Sequence, residues 1–292
     1  MTSQVFLNGI LAGLTWGLAA LGFTIVYSTA RFLHAAYAAT FLVGAYAGIS
    51  LSLLTSVPLA VCALGAVTVA AFLGIAVEIL IYRPLRRMRS PSLILFLASL
   101  AILIIVENTV ALLFGSEIQV SAGRGDEGSL RVMGAQFTFV QGGAGVAALA
   151  LFLVTWTFTR LGSIGKRMRA VACDPELAAA VGIDEKSTLA VSMLVGSALS
   201  GASGFLLAYD TSATPTMGFT FLLIAVTAAI VGGIGSLPGA MLGGLLVGVG
   251  QHVGAWFLAP EWQDAVVFVI LLLFLLLRPH GFFGKPLRKV TI

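Results

Sequence analysis

Long apolar runs constrain this chain more than any other feature of its sequence. Nine such runs occur, and each is close to the roughly 20 residues that an α-helix needs to cross the hydrocarbon core of a bilayer. Short segments that hold most of the charged residues separate them. The runs predict membrane-spanning helices at Phe6–Tyr27, Ala35–Leu54, Pro58–Tyr82, Ser92–Phe114, Phe139–Thr159, Thr188–Tyr209, Phe219–Ile234, Gly239–Leu258 and Trp262–Leu277.

The amino-acid composition excludes a water-soluble fold of this length. Hydrophobic residues make up 59% of the chain, charged residues make up 10%, and the mean hydropathy is +1.06, so polar surface is too scarce to cover a soluble domain. We therefore predict an all-α integral membrane protein in which residues 1–292 form one polytopic bundle of about eight to ten helices. Ala35–Leu54 begins with an Ala-rich, Gly-interrupted stretch, and a broken or re-entrant segment is the alternative there.

Basic residues predict how the bundle is oriented. With nine alternating spans, every Lys and Arg except Arg124 and Arg131 falls on one side of the membrane, in the loops that contain residues 31, 83–89, 160–186 and 278–289. Loops rich in Lys and Arg stay in the cytoplasm, so we place the N-terminus outside and the C-terminus in the cytoplasm. The same rule accounts for the net charge of +4, and no nucleic-acid partner is expected.

Sequence signals for catalysis are missing. The chain has three histidines and no HExxH, CxxC or GxSxG pattern. The glycine run Gly232–Gly239 lacks the GK[ST] that holds phosphate and Mg²⁺, so we interpret it as a tight turn between two helices. Cys62 falls in an apolar run and Cys173 in a basic loop, and both are interpreted as free thiols. We expect no catalytic site, metal site or cofactor in this chain.

Small residues recur at four-residue spacing in several apolar runs. Such a stripe lets two helix backbones approach closely, which favours helix association in lipid. The stripes therefore predict close packing, and a place in an interface that moves is the alternative. Their members are Gly9, Gly13 and Gly17; Gly44 and Gly48; Ser200 and Gly204; and Gly239 and Gly243.

The predicted cytoplasmic loop at residues 160–187 is longer than a hairpin connection needs. Within it, Asp174 has the character of a helix N-cap, Pro175 suits the first helical position, Glu176 lies in the first turn and Gly182 suits the end. These residues predict a short amphipathic helix on the membrane face. It is either an ordinary interfacial helix or an element that docks into a cytoplasmic partner.

The same loop resembles a known family. Glu176, Ala178 and Gly182 match the E-A-A-x-x-x-G core through which permeases of ABC importers contact their ATPases, although Leu177 departs from it. The wider run from Arg169 to Glu176, followed by Gly182-Ile183, is similar to the R-A-V-A-x-D-P-E…G-I of branched-chain amino acid permeases, specifically their H-type subunit. Further matches are Gly44-Ala45-Tyr46, Val231–Ser236 with Gly239-Ala240, and Leu277–Gly284.

The resemblance implies a transport subunit in the bacterial cytoplasmic (inner) membrane. Its implied partners are a second homologous permease, two cytoplasmic ATP-binding subunits that hold the ATP and Mg²⁺, and an extracytoplasmic solute-binding protein. Asp174, Pro175, Glu176, Ala178 and Gly182 would form the ATPase-coupling segment. The implied solute is a branched-chain amino acid or a related small metabolite.

Two departures from the family pattern give candidate residues for the translocation path. His34, Tyr37 and Thr40 occupy a segment where the family usually has another motif, and their spacing of three would place them on one side of a helix. They would line the path or, alternatively, anchor the segment at the membrane interface. Glu107 and Asn108 stand where a Gln-Asn pair is common, and a role in the path and a structural polar contact are both open.

Two rival functions belong to other classes. An ion- or proton-coupled secondary carrier would use carboxylates inside the membrane, for which Glu78 and Glu107 are the candidates. A polytopic membrane enzyme would need a polar catalytic cluster, and the sequence offers none.

Overall fold

The computed structural model describes residues 2–54, 57–120, 128–132, 135–278 and 280–284. Twelve α-helices form most of these parts of the chain: α1 Thr2–Ala30, α2 Ala36–Leu54, α3 Leu59–Val77, α4 Arg83–Arg87, α5 Ser92–Phe114, α6 Phe139–Leu161, α7 Ser163–Cys173, α8 Pro175–Ala180, α9 Glu185–Thr211, α10 Met217–Gly232, α11 Leu237–Phe257 and α12 Gln263–Leu277. A π-helical turn, Glu78–Tyr82, joins α3 to α4. An antiparallel hairpin, β1 Ser129–Val132 and β2 Ala135–Thr138, precedes α6.

The helices confirm an all-α polytopic membrane protein. Each of the nine predicted runs coincides with a helix, and seven helices in the described ranges are long and apolar enough to cross a membrane. The other two, α10 and α12, are apolar but only 16 and 15 residues long. The second run forms one uninterrupted helix from Ala36 to Leu54, rather than a broken one. The number of nine crossings and the orientation stay predictions.

Glycine stripes bring α1 and α11 into close contact. A Cβ atom on Gly9 would lie 2.8 Å from the Cα of Val249, and one on Gly13 would lie 2.8 Å from the Cα of Leu245. Glycine therefore lets the two backbones touch directly, as the spacing predicted. The same holds for Gly44 of α2, whose nearest neighbour is the backbone of Gly201 in α9.

Hydrogen bonds separate the loops into two groups at opposite ends of the bundle. Arg31, just after α1, donates to main-chain carbonyls at the end of α7, and Phe282 N–H donates to Val231 O at the end of α10. At the other end of α1, about 43 Å away, Gln4 accepts from Gln136 N–H in β2. The first group includes the basic loops, and we call the end of the bundle where they lie the basic end. Arg124, Lys285, Arg288 and Lys289 lie outside the described residues.

Candidate translocation path and coupling helix

Two cavities open at opposite ends of the bundle, and helices α1 and α10 line both. The polar cavity, about 610 Å³, lies towards the start of α1 and is lined by Asn8, Thr15 and Thr220 among others. The arginine cavity, about 440 Å³, lies at the basic end and is lined by Tyr27, Arg31 and Ile230 among others. The cavities therefore lie along one groove between α1 and α10.

Helical spacing explains why one face of α1 serves both cavities. On α1, Thr15 and Trp16 line the polar cavity, whereas Phe23 and Tyr27, two and three turns further on, line the arginine cavity. On α10, Thr220 and Ile224 line the first, and Val226 and Ile230 line the second. Positions three, four or seven residues apart share a helix face, so the α1 stripe continues from one cavity to the other. On α10, Ile224 and Val226 are two residues apart and lie on nearly opposite faces.

Five aromatic side chains, Trp16, Phe23, Tyr37, Phe41 and Phe221, separate the two cavities, and we call them the aromatic barrier. The ring centroids of Trp16 and Phe221 are 5.6 Å apart, and Phe221 stacks on Phe41 and Tyr37. Tyr37 in turn meets the edge of Phe23 at 5.8 Å. All five side chains are at most 8% exposed. Packed rings therefore connect Trp16 and Phe221, which line the polar cavity, to Phe23, which lines the arginine cavity.

His34, Tyr37 and Thr40 lie in the packed interior, and none of them lines either cavity. Helix α2 begins at Ala36, so His34 belongs to the irregular connection and only Tyr37 and Thr40 share a helical stripe. The Tyr37 hydroxyl donates to Ala19 O at 2.6 Å, and the Thr40 hydroxyl donates to Tyr37 O at 2.8 Å. Their role in the path stays a prediction, which the place of Tyr37 in the aromatic barrier supports.

His34 forms a buried polar contact near the basic end. Its Nδ1 atom lies 2.8 Å from the hydroxyl of Tyr82, in the π-helical turn, while the backbone N–H of Ala35 donates to Ser99 Oγ at 3.0 Å. Burial lowers the pKa of His34 to about 3. The ring is therefore neutral near pH 7, and these contacts hold the α1–α2 connection against the π-helical turn and α5.

Glu107 and Asn108 point to different surroundings. The Glu107 carboxylate lies at the N-terminus of α10, where its Oε1 is beside Gly218 and has no hydrogen-bond partner among the described residues. A carboxylate there complements the unpaired N–H groups and the helix dipole. Asn108 is exposed and donates to Ile104 O at 2.7 Å within its own helix. Neither residue lines the polar cavity or the arginine cavity, and their place in the path stays a prediction.

The predicted helix in the long loop is present as α8, and its end signals act as expected. The Asp174 carboxylate accepts from the N–H groups of Glu176 and Leu177, both at 3.0 Å. Gly182 has a φ of +84°, Ile183 N–H donates to Ala178 O at 3.0 Å, and the helix therefore ends in a Schellman motif. Caps at both ends allow so short a helix to form.

The surface of α8 has one buried and one exposed side. Ala178 is 3% exposed and packs towards the bundle. Leu177 and Val181, one turn apart, are 64% and 70% exposed. Glu176 is exposed beside them. An apolar pair next to a carboxylate, held out by a capped helix, is suited to contact with another protein.

Several residues of the groove carried no readable signal in the sequence. Thr15, Trp16 and Phe221 line the polar cavity, yet each is a single residue within an apolar run. Gln251 also lines it, and the adjacent polar pair Gln251-His252 is a local sign that this part of α11 does not face lipid.

Comparison with known proteins connects this geometry to a family. Residues 5–275 match the family model described as branched-chain amino acid transport system / permease component. The high-affinity branched-chain amino acid transport system permease protein LivH of Escherichia coli is 31% identical, over 97% of this chain and 96% of that protein. The corresponding permease protein BraD of Pseudomonas aeruginosa is 32% identical, with the same coverage.

Among solved structures, the chain is similar to PsaBC from Streptococcus pneumoniae in complex with Fab. The match covers 94% of this chain and 92% of that chain, with 16% sequence identity and a TM-score of 0.49. The family match spans most of the sequence and includes all the elements that form the groove. With its apolar helices, it makes the protein a multi-pass protein of the bacterial inner membrane. The chain belongs to the family of permease components of branched-chain amino acid transport systems.

Proposed function

We propose that this chain is the transmembrane permease subunit of an ABC-type importer, and that its groove forms part of the path for branched-chain amino acids or a related small metabolite. The observation that carries the proposal is the pair of cavities at opposite ends of one groove with the aromatic barrier between them. Alternating access requires such a division, because the solute site must open to one side at a time. Membership of a permease family already makes the chain a transport subunit rather than an enzyme.

The proposal includes an assembly in which this chain spans the membrane nine times, with the N-terminus outside. A second homologous permease covers the groove, two ATP-binding subunits contact α8 at the basic end, and a solute-binding protein meets the polar cavity outside. ATP and Mg²⁺ are bound by the ATPases, and this chain holds no cofactor. The grouping of the basic loops at one end of the bundle supports this orientation.

An ion- or proton-coupled carrier is less well supported. It would need a carboxylate that changes protonation within the path. Glu78 is buried and paired with Arg86, and Glu107 lies at the N-terminus of α10. Both carboxylates thus have structural surroundings away from the cavities.

Thiol labelling along the groove tests the proposed path. In a chain whose Cys62 and Cys173 are replaced by alanine, we expect Thr220→Cys to react with an impermeant reagent added outside, and Ile230→Cys to react from the cytoplasmic side. Because alternating access closes one end of the groove when the other opens, trapping the ATPases with nucleotide should change the two labelling rates in opposite directions. We expect each rate to change about tenfold, which corresponds to a shift of about 1.4 kcal/mol between the two states.

The same background tests the buried residues and supplies a control. Cysteine at His34, Tyr37 or Thr40 should label only in a nucleotide-dependent manner if these residues reach the path. Leu272 of α12, which is 58% exposed on the outside of the bundle, provides the control. The labelling rate of Leu272→Cys should not depend on nucleotide. Labelling of Thr220→Cys and Ile230→Cys that is equal in all states would contradict the proposed path.

A substitution on α8 tests the docking surface. Leu177→Asp places a charge in the apolar pair, so we expect the ATPases to be lost from the purified assembly, with affinity lowered by about tenfold or more. The measurement is the ATPase content of the detergent-purified complex. Met88→Asp is the control, since Met88 is 76% exposed at the same end but lies outside α8. Equal ATPase content in both variants would exclude α8 as the docking element.

A further inference from the structure

The polar cavity contains hydrogen-bonding groups that the protein itself leaves unused. Thr15 and Gln251 are each 5% exposed, and both line the cavity. Neither side chain has a hydrogen-bond partner among the described residues, although buried polar groups are normally paired. A ligand in the cavity would supply the missing partners.

One acidic side chain supplies a charge to the cavity. Asp264, in the first turn of α12, is exposed and lines it, and the lining residues that the structure describes include no Lys or Arg. His252 also lines it, and its Nδ1 donates to Gly248 O at 3.0 Å. The Asp264 carboxylate can therefore attract a protonated amine to this part of the cavity.

The inner end of the cavity is apolar. Trp16, Phe221 and Ile224 form the end that meets the aromatic barrier. A solute that fills the cavity thus meets apolar rings on one side, and acceptors and neutral hydrogen-bonding groups on the other. Few polar groups placed on an apolar surface are typical of sites that orient a small molecule.

We propose that the polar cavity is a transit site that binds small amphiphilic solutes by a protonated amine near Asp264, with Thr15 and Gln251 as hydrogen-bonding partners and an apolar group against Trp16 and Phe221. This inference rests on the proposed function and adds to it a chemical selection made by the permease, separate from capture by a binding protein. Solutes that carry a net negative charge and no amine are rejected.

Protection of a cysteine in the cavity tests the site directly. The assembled permeases and ATPases, without a binding protein, carry Thr220→Cys in the background without Cys62 and Cys173. The probes are leucine, its decarboxylated analogue isopentylamine and its deaminated analogue 4-methylpentanoate. We expect leucine and isopentylamine to slow labelling, and 4-methylpentanoate to have no effect.

Variants then assign the contacts. Asp264→Asn should raise the concentration of leucine or isopentylamine needed for half-maximal protection by about tenfold, and Gln251→Leu should do so for leucine. Glu261→Gln is the matched control, because it removes the same charge three residues away, outside the cavity lining. Equal protection by all three probes, or variants that match the control, would overturn the transit site.

Uptake by the complete importer separates this inference from the proposed function. If ATP-dependent uptake occurs but the protection pattern is absent, the chain is a permease whose cavity is a passive vestibule. If the wild-type assembly shows no ATP-dependent uptake, the proposed function itself fails. Protection by the two amines together with ATP-dependent uptake supports both.

Discussion

Replacing Gly182 with leucine is expected to abolish transport while leaving the protein inserted in the membrane. Gly182 has a φ of +84°, and a Cβ there would meet no atom within 4 Å. The cost is therefore one of backbone conformation, about 1–2 kcal/mol for an ordinary residue. Relaxing it would unwind the end of α8 and turn Leu177 and Val181 away from their present positions. We expect solute-stimulated ATP hydrolysis and uptake to fall by at least about tenfold.

Gly115 offers a control for backbone strain away from α8. It ends α5 with a φ of +81° and a ψ of 174°, a conformation that glycine alone adopts readily, and a Cβ on it would also meet no atom within 4 Å. Gly115→Leu therefore introduces backbone strain at least as large as that of Gly182→Leu, at a site away from the basic end, and its uptake should stay near that of wild type. Gly182→Asn should retain activity, since asparagine tolerates this conformation. Unchanged ATP turnover and ATPase content in Gly182→Leu would disprove the coupling role.

Replacing Gly13 with leucine is expected to prevent stable folding. Its Cβ would lie 2.8 Å from the Cα of Leu245 and 3.1 Å from Gly244 O. These are backbone atoms that cannot rotate away, so α1 and α11 would have to separate along the stripe. We expect the free energy of unfolding to fall by about 3 kcal/mol or more. The measurements are the midpoint of thermal unfolding, which should be lower, and the monodisperse fraction in detergent, which should be smaller.

A glycine in open surroundings controls for the substitution itself. Gly143 lies in α6, is exposed, and has no atom within 4 Å of the position of a Cβ. Gly143→Leu adds the same side chain without a backbone collision, and it should leave the unfolding midpoint unchanged or slightly higher. If both variants unfold at the wild-type midpoint, the close approach of α1 and α11 does not stabilise the bundle.

The sequence was most informative where structure depends on neighbouring residues or on lipid. The caps of α8 were predictable because Asp174 and Gly182 act on N–H and C=O groups within a few residues of themselves. The spans were predictable because a bilayer demands long apolar runs. The spacing of Gly9, Gly13 and Gly17 predicted that α1 would contact another helix closely. It did not predict that this helix would be α11.

The groove was not predictable in the same way, because it depends on which helix faces meet. Thr15 and Gln251 are far apart in the sequence and share a cavity only through the packing of α1 against α11. The assumption that His34 lies on a helix was wrong, since the chain is irregular until Ala36. Arg31, with a φ of +55°, turns the chain at that point, and no local signal indicates so sharp a turn.

Arg31 also has a consequence for how this subunit can diverge. One nitrogen of its guanidinium donates to the carbonyl oxygens of Ala172 and Cys173, at 2.6 and 2.8 Å, directly before the Asp174 cap. Both acceptors are main-chain atoms, which every residue type provides. The loop surface can therefore change its side chains to suit a different ATPase while its attachment to the first span persists. The hydrogen bonds between the two segments therefore require arginine at position 31, whereas the side chains at positions 172 and 173 can vary.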